Sequence, residues 1–439
     1  MFSRRRTLFL ILILSLGAGG SMAGEQEQEE FNAKFQATYI WQVKPAFGAE
    51  YSGPNSLSPE REKSYSLTAT AALGWRPWAG SELYFDPEMA QGVPLSHLAG
   101  LGGMSNGEMA RTSGANPTFY RARLFLRQTW GFGGGQEALE SAANQLAGMA
   151  DKRRLTLTAG NVSVLDLFDA NTYNHDPRTQ FMNWSVMTYG AYDFAADSRG
   201  YTWGAALEYV DDGWAVRAGR FVQPRESNGL VLDPKIFRRF GDQLEFEHAH
   251  QFGELAGKVR LLIFRNVATM GSYADALALG SATGSTPSMD DVRTRHAKVG
   301  YGINAEQALT ADIGLFGRAS RADGKTETYA FAEIDRSVSG GALVHGTAWA
   351  RPEDTAGLAL ARNGLSQVHR DYLAAGGLGF FVGDGRLSYR PEAIAEFFYN
   401  YAIGKSAHLG VNFQRIENPA YNHARGPVSI GSLRLHADF

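Results

Sequence analysis

A run of arginines on one extended segment is the first feature of this chain that could bind a polar molecule. Residues 119–130 read FYRARLFLRQTW, and alternate side chains of a strand point to opposite faces. This alternation predicts one face that carries Arg121, Arg123 and Arg127 around Phe125. Guanidinium groups donate paired hydrogen bonds to hydroxyl groups or carboxylates, and a neighbouring ring offers an apolar surface to a sugar. One interpretation is a basic ladder for polar solutes. The alternative, compatible with the first, is that these arginines pair with carboxylates of the same structure, such as Glu245, Glu247, Asp169 and Asp176.

A second polar segment begins at Asp176, which is followed by a proline and Arg178. The proline restricts the direction of the chain. Gln180, Asn183 and Trp184 then supply amides and an indole, which donate hydrogen bonds and offer an aromatic face. This mixture suits a sugar site. The alternative is a polar loop whose charges bond one another.

Signatures of catalysis and metal binding are weak in the sequence. There is no H-E-x-x-H helix and no G-x-x-x-x-G-K-[ST] loop. The chain has no cysteine, so disulfides and thiolate metal sites are excluded. His248 and His250 share a predicted strand face without an assigned third ligand and are interpreted as ordinary wall residues. We expect no cofactor, no metal and no enzymatic activity.

Alternating segments recur along most of the chain and must position these residues. In residues 34–44, Phe35, Tyr39, Trp41 and Val43 share one predicted face, and polar side chains share the other. Further strands are predicted at 64–75, 81–86, 119–130, 155–161, 201–210, 214–222, 243–252, 256–265, 296–303, 309–318, 326–335, 342–349, 377–382, 394–403, 407–414 and 428–439. At about 10 residues per strand plus turns, the chain accommodates roughly 16 to 18 strands. The predicted fold is an all-β, transmembrane antiparallel barrel around an aqueous channel.

The composition agrees with a barrel that crosses a membrane. Apolar residues are 44% of the chain, aromatic residues are 12%, and glycines number 51. No stretch after residue 23 approaches the apolar length of a transmembrane helix, and a closed barrel is the other structure that satisfies its backbone hydrogen bonds in lipid. The net charge of −3 gives no electrostatic basis for a nucleic-acid partner.

The first residues predict export from the cytoplasm. Three arginines precede an apolar run at residues 8–16, and small residues flank a cleavage position after Ala23. This is the pattern of a secretory signal peptide, because the apolar run is too short to span a membrane as a helix. We therefore expect a signal peptide at 1–23 and a single barrel domain at 24–439.

Turns and loops follow from what lies between the predicted strands. Short turns are predicted at 211–213, 252–254 and 322–325. Longer segments, interpreted as outer loops or as pieces folded into the lumen, are 87–117, 131–154, 223–241, 267–295 and 351–376. Within them, residues 137–149 and 365–375 space their apolar side chains as short helices do.

Long, aromatic-rich stretches resemble a known family. They are NTYNHDPRTQFMNW at 171–184, AYDFAADSRGYTWGAALEY at 191–209, YFDPEMAQGVPLSHLAGLGGMSNGEMAR at 84–111, the segment at 351–392 and NPAYNHARGPVSIGSLRLHADF at 418–439. These stretches are similar to the bacterial carbohydrate-selective porins. The final strand ends on Phe439, which resembles the insertion signal of outer-membrane proteins.

The resemblance implies an outer-membrane barrel of about 16 strands through which sugars, glucose-like monosaccharides especially, diffuse passively into the periplasm. Its partners would be small carbohydrate solutes, outer-membrane lipid and, as in many porins, further copies of the chain. Two alternatives stay open, a polysaccharide-export porin and a barrel enzyme that acts on lipid or glycan.

Strand parity and side-chain chemistry, rather than the resemblance, predict the residues that line the pore. The arginines would form the basic side of a constriction, three carboxylates its acidic members, and two aromatic rings the stacking surfaces. The predicted residues are Arg121, Arg123, Arg127, Asp169, Asp176, Arg178, Trp184, Tyr189 and Glu245.

Overall fold

The computed structural model describes residues 28–110, 112 and 114–439, and in this part of the chain sixteen antiparallel strands close into a barrel. Neighbouring strands follow chain order, and β1 pairs with β18 to close the sheet. A separate two-stranded sheet is formed by β5 and β6. The strands are β1 Phe31–Lys44, β2 Glu62–Trp75, β3 Ser81–Val93, β4 Thr118–Gly131, β5 Gln136–Leu139, β6 Gly148–Asp151, β7 Arg154–Val162, β8 Thr202–Asp211, β9 Trp214–Val222, β10 Phe240–Phe252, β11 Leu255–Met270, β12 Thr294–Ala308, β13 Ile313–Ala322, β14 Arg336–Gly346, β15 Arg351–Gly364, β16 Glu392–Ala402, β17 Ala407–Glu417 and β18 Val428–Asp438. The predicted all-β barrel is confirmed, and the predicted signal peptide lies outside the described residues.

Side-chain alternation explains why these segments form a two-faced wall. On β1, Phe35 and Tyr39 are about half exposed on the outer face, whereas Thr38 and Gln42 are buried on the inner face. Gln42 donates a hydrogen bond to Ser432 of β18 at 3.1 Å. The outer face therefore presents rings to the surroundings, and the inner face satisfies its polar groups within the barrel.

The two ends of the barrel differ in the length of their connections. The end that carries Phe439 has short connections such as 212–213, 253–254 and 403–406, and we call it the short-turn end. Long connections such as 94–117, 163–201 and 365–391 lie at the opposite, long-loop end. The turns predicted at 211–213 and 252–254 are confirmed. The turn predicted at 322–325 is wrong, because it opens the longer connection 323–335 at the long-loop end.

Two predicted strands, 326–335 and 377–382, are irregular segments inside the barrel. Side-chain carboxylates replace a neighbouring strand as partners of their backbone. Glu333 accepts hydrogen bonds from the N–H groups of Phe381 at 2.6 Å and Val382 at 2.8 Å. The N–H of Ala330 donates to Asp193 at 2.7 Å. Because these backbone N–H groups have carboxylate partners, they need no hydrogen bonds to a neighbouring strand.

Other sequence predictions also need correction. Residues 351–364, assigned to a loop, form β15, and β3 continues past Pro87 to Val93. The helix predicted at 137–149 is the hairpin of β5 and β6, whose connection contains Asn144 in the left-handed region at φ 60°.

Three α-helices lie in the described connections: α1 Trp184–Met187, α2 Tyr273–Thr283 and α3 Gln367–Ala374. The helix α3 confirms the one predicted at 365–375. No helix in the described part of the chain is long and apolar enough to cross a membrane.

The connection at residues 163–201 occupies the interior of the barrel, and we call it the inner segment. Its Phe194, Ala195 and Ala196 are almost fully buried in a cluster with wall residues such as Phe221 and Phe264. Because the inner segment packs against the wall, it narrows the lumen and positions the residues described next.

Candidate functional site: a charged constriction in the lumen

Two cavities inside the barrel have three charged lining residues in common. The cavity toward the long-loop end has a volume of about 320 Å³. The cavity toward the short-turn end has a volume of about 680 Å³ and reaches Phe439. Arg123, Asp166 and Arg178 line both cavities. We call these three residues the constriction.

The constriction joins the wall to the inner segment through an ion pair. Arg123, on β4, donates from Nε to Asp166 Oδ2 at 2.7 Å and from Nη2 to Oδ1 at 2.7 Å. Asp166 also accepts from the N–H of Ser163 at 3.1 Å in a capping box. Burial alone would raise the pKa of Asp166, but the charge and hydrogen bonds of Arg123 outweigh it and hold that pKa below its ordinary value. The carboxylate therefore stays charged beside its arginine.

Arg178 is the residue of the constriction that lies between two further carboxylates, and it belongs to the inner segment. Its Nε donates to Glu108 Oε1 at 2.8 Å, and its Nη2 lies 3.5 Å from Glu88 Oε2. The N–H of Arg178 donates to Asp176 Oδ1 at 2.8 Å, so a turn that begins at Asp176 fixes the chain around Arg178. Burial raises the pKa of Glu108, although Arg178 opposes the shift.

Tyrosine hydroxyls complete the polar lining near Glu88. Tyr120 donates a short hydrogen bond to Glu88, and Tyr201 donates to the same oxygen, Oε1, at 3.3 Å. Arg199 stacks over the ring of Tyr120, 4.5 Å from its centroid. The cavity at the long-loop end is thus bordered by hydroxyls, carboxylates and guanidinium groups together.

An aromatic cluster lines the same cavity. The ring of Trp184 stacks on that of Phe331, with centroids 4.8 Å apart and planes 24° apart, and Phe331 in turn lies 5.2 Å from Phe194. All three rings line the cavity. Asn183 caps the helix α1 by accepting from the N–H of Ser185 at 2.9 Å, which fixes the direction of Trp184. Trp184 was predicted as a stacking residue; Phe194 and Phe331 were not.

Arg127 lies in the lumen, on the side of the constriction that faces the short-turn end. It lines the cavity at the short-turn end, and its Nη1 donates to Glu82 at 3.0 Å and to the carbonyl of Asn144 at 2.9 Å. Arg123 and Arg127 therefore share the inner face, with the buried Phe125 between them. Both pair with carboxylates, but their partners are Asp86, Asp166 and Glu82 rather than the carboxylates proposed from the sequence.

Arg121 does not share that face. Asp86 of β3 pairs with Arg123, whereas the next residue, Pro87, pairs with Arg121, so Ala122 is the extra residue of a β-bulge. A bulge inserts one residue on one strand and so changes which face later side chains occupy. The guanidinium of Arg121 lies 5.0 Å from the ring of Trp203 on the outer face. The prediction of three arginines on one face is wrong for this reason.

Three other predicted residues anchor the inner segment and line none of the described cavities. Asp169 is fully buried and accepts from Arg318 Nε at 2.8 Å and from Asn304 Nδ2 at 2.6 Å. Glu245 of the wall accepts from the N–H of Asp169 at 2.8 Å. Tyr189, also fully buried, donates its N–H to Asp169 Oδ2 at 2.9 Å. Asp176, by contrast, lines the cavity at the long-loop end, as does Arg178.

Sequence reasoning missed several residues of this site, namely Glu88, Glu108, Asp166, Tyr120, Tyr201 and Arg199. One of them carried a signal, because Ser163 and Asp166 have the spacing of a capping box after a predicted strand. Glu108 lies in the described part of an irregular connection and gave none. Among the described residues no group of three acidic, histidine or cysteine side chains is placed to hold a metal ion.

Comparisons with known proteins identify the family and support the fold. The family model of the carbohydrate-selective porins, OprB family, matches residues 64–439. The structure of OprB from Pseudomonas putida, solved at high pH, has a TM-score of 0.70 at 18% identity and covers 93% of this chain and 94% of its own. The outer-membrane channel DcaP of Acinetobacter baumannii has a TM-score of 0.50 at 9% identity, with 96% and 100% covered. No curated protein matches in sequence. The two solved structures support the fold, and the family model, which spans most of the chain, shows that this protein of the bacterial outer membrane belongs to the carbohydrate-selective porins of the OprB family.

Proposed function

We propose that this barrel lets neutral, glucose-like monosaccharides diffuse passively into the periplasm. The observation that carries the proposal is the pairing of an aromatic surface with a charged constriction around one cavity. Trp184 and Phe331 line this cavity together with Arg123, Asp166 and Arg178. A sugar ring has an apolar face that stacks on an indole and a rim of hydroxyls that hydrogen-bond to guanidinium groups and carboxylates.

The balance of charge favours a neutral solute over an ionic one. Each guanidinium of the constriction has a carboxylate within 3.0 Å, Arg123 with Asp166 and Arg178 with Glu108. His175, which lines the same cavity, has a pKa lowered mainly by burial, so it is neutral at physiological pH. Neither sign dominates, and a channel for a charged polymer would need one that does.

The cavity volume favours a small solute. About 320 Å³ lies near the lower end of the range for small-molecule sites, roughly 300 to 1,000 Å³. Monosaccharides would pass the constriction singly, between the stacking surface and the ion pairs. No energy-coupling step is needed, because the solute moves down its own gradient.

Liposome swelling tests the proposal directly. Proteoliposomes of the purified protein are placed in isotonic glucose, a disaccharide, a linear trisaccharide and gluconate, and the initial swelling rate is measured by light scattering. We expect glucose to enter fastest, the rate to fall with each added sugar unit, and gluconate to lag behind glucose. Equal rates for all four solutes, or permeation of an acidic polysaccharide without permeation of glucose, would overturn the proposal.

A further inference from the structure

An apolar groove on the outer face of the barrel ends in a cluster of arginines. The groove spans β11 to β15 and encloses about 650 Å³. Leu261, Tyr301, Ile303 and Val338 border it, and each is between 44% and 62% exposed. Ile303 pairs with Ala319, which in turn pairs with Val338. Because alanine is the smallest side chain in this row, it lies at the bottom of a channel between larger neighbours.

Three arginines border the same groove toward the long-loop end: Arg321, Arg336 and Arg362. Arg336 is the first residue of β14, and Arg321 is the last but one of β13. Arg321 pairs directly with Arg336, and Arg362 of β15 pairs with Val338, two residues further along β14. Directly opposed side chains lie about 5 Å apart at Cβ, and like charges in that arrangement are destabilising.

The described residues contribute no carboxylate ion pair to any of these three arginines. Two other arginines of the outer face do have such a partner. Arg220 pairs with Asp242 at 2.7 Å, and Arg415 pairs with Glu417 at 3.2 Å. Three neighbouring cations without an acidic partner therefore mark a place where an external anion would relieve their repulsion.

We propose that this groove binds a phosphorylated lipid of the outer leaflet, with its phosphate on Arg321, Arg336 and Arg362 and an acyl chain in the apolar channel. Long loops of outer-membrane barrels are extracellular, so the long-loop end lies at the outer leaflet. Guanidinium groups bind phosphate oxygens through two parallel hydrogen bonds. The groove extends from the arginines toward the short-turn end, which is the direction an acyl chain takes from its headgroup. A second copy of the chain would bring the same unpaired cations and no matching acid from this patch.

Binding of diphosphoryl lipid A to the detergent-solubilised protein tests the proposal, measured by native mass spectrometry. The patch variant replaces all three arginines, R321Q/R336Q/R362Q. The matched control, R220Q/R265Q/R415Q, removes three arginines from the same outer face; Arg265 pairs across the sheet with Asp242, so the control arginines all have an acidic neighbour. An arginine near an anionic lipid contributes a factor of about five to binding, so we expect the patch variant to bind about 100-fold more weakly and the control to stay within about twofold of the wild type. Dephosphorylated lipid A should bind the wild type as weakly as lipid A binds the patch variant.

Three results would overturn the proposal. Lipid A could bind the wild type and the patch variant equally, or phosphate removal could leave its affinity unchanged. The patch variant could also change the oligomeric state without changing lipid affinity, which would assign the groove to a second copy. If the triple variant does not fold, R336Q alone, with an expected loss of about fivefold, answers the same question.

Discussion

Arg123 and Asp166 form a two-point ion pair between the barrel wall and the inner segment, with both nitrogen-oxygen distances at 2.7 Å. Such a bidentate pair fixes the direction of both side chains. Asp86 lies on the other side of the guanidinium, 3.4 Å from Nη1. One arginine therefore balances two carboxylates where the two cavities of the lumen meet.

Replacing this arginine should change ion selectivity. In Arg123→Gln both carboxylates keep their charge and lose their cation, so we expect the channel to prefer cations more strongly. The measurement is the reversal potential of single channels in a KCl gradient. Arg121→Gln is the matched control, since its side chain lies on the outer face beside Trp203, and its reversal potential should equal that of the wild type. A shift in the control, or none in Arg123→Gln, would contradict the placement of the two arginines.

Removing the stacking surface should weaken sugar binding in the channel. Trp184 contributes its ring to the cavity and packs on Phe331 at 4.8 Å. Aromatic contacts of this kind contribute about 0.5 to 1.5 kcal/mol, so in Trp184→Ala the glucose concentration that half-blocks the ion current should rise about two- to tenfold. Trp203→Ala removes an outward indole and should leave that concentration unchanged. Equal behaviour of the two variants would separate Trp184 from sugar binding.

The alternation of β1 shows why the barrel could be predicted from the sequence. Phe35 and Tyr39 face outward while Thr38 and Gln42 face inward. This period of two is a local property, because it can be read from the sequence of each strand alone. The paired turns at 211–213 and 252–254 are local as well. The same argument fails at Ala122, because a bulge is set by the neighbouring strand and not by the period. One extra residue was enough to move Arg121 to the outer face.

The constriction could be predicted only in part, since its partners meet through closure of the barrel. Arg123 was predicted from the alternation of β4, and Arg178 was predicted from the polar segment that begins at Asp176. Glu108 lies 70 positions from Arg178 in the sequence, and no local pattern connects them. Asp169 and Glu245 are carboxylates, as the residues of a solute-binding site can be, yet they anchor the inner segment to the wall. Their burial is a tertiary property that residue type does not reveal.

That anchor predicts a variant with a strong effect on stability. In Asp169→Asn, Arg318 keeps its charge, is nearly fully buried and loses its carboxylate partner. Breaking a buried pair from one side costs about 3 to 5 kcal/mol, so we expect the inner segment to detach from the wall. The measurements are the protease sensitivity of residues 163–201 and the temperature at which the folded band disappears on a gel.

A matched control for the anchor is Glu417→Gln, which removes the partner of Arg415 on the outer face. Both side chains of that pair are about half exposed, and exposed pairs contribute about 0 to 1 kcal/mol. We expect its unfolding temperature and protease pattern to match the wild type. An Asp169→Asn protein that resists protease as well as this control does would show that the inner segment is held by other contacts.

Acid should change the two ion pairs of the constriction in sequence. Burial raises the pKa of Glu108 above its ordinary 4.5, whereas Asp166, with Arg123 outweighing burial, has a pKa below its ordinary 3.8. As the pH falls, Glu108 binds its proton first and leaves Arg178 without that counter-charge, so anion preference should begin to rise above pH 4.5. The depressed pKa of Asp166 stabilises the fold above pH 3.8, and this contribution is lost only as the pH falls through the lower pKa of the folded state.

The measurement for this acid titration is the reversal potential between pH 7 and pH 3. We expect Glu108→Gln to show the anion preference already at pH 7 and to lack the step at higher pH that Glu108 causes in the wild type. A wild-type titration with its first step below pH 3.8 would reverse the assigned order of the two carboxylates.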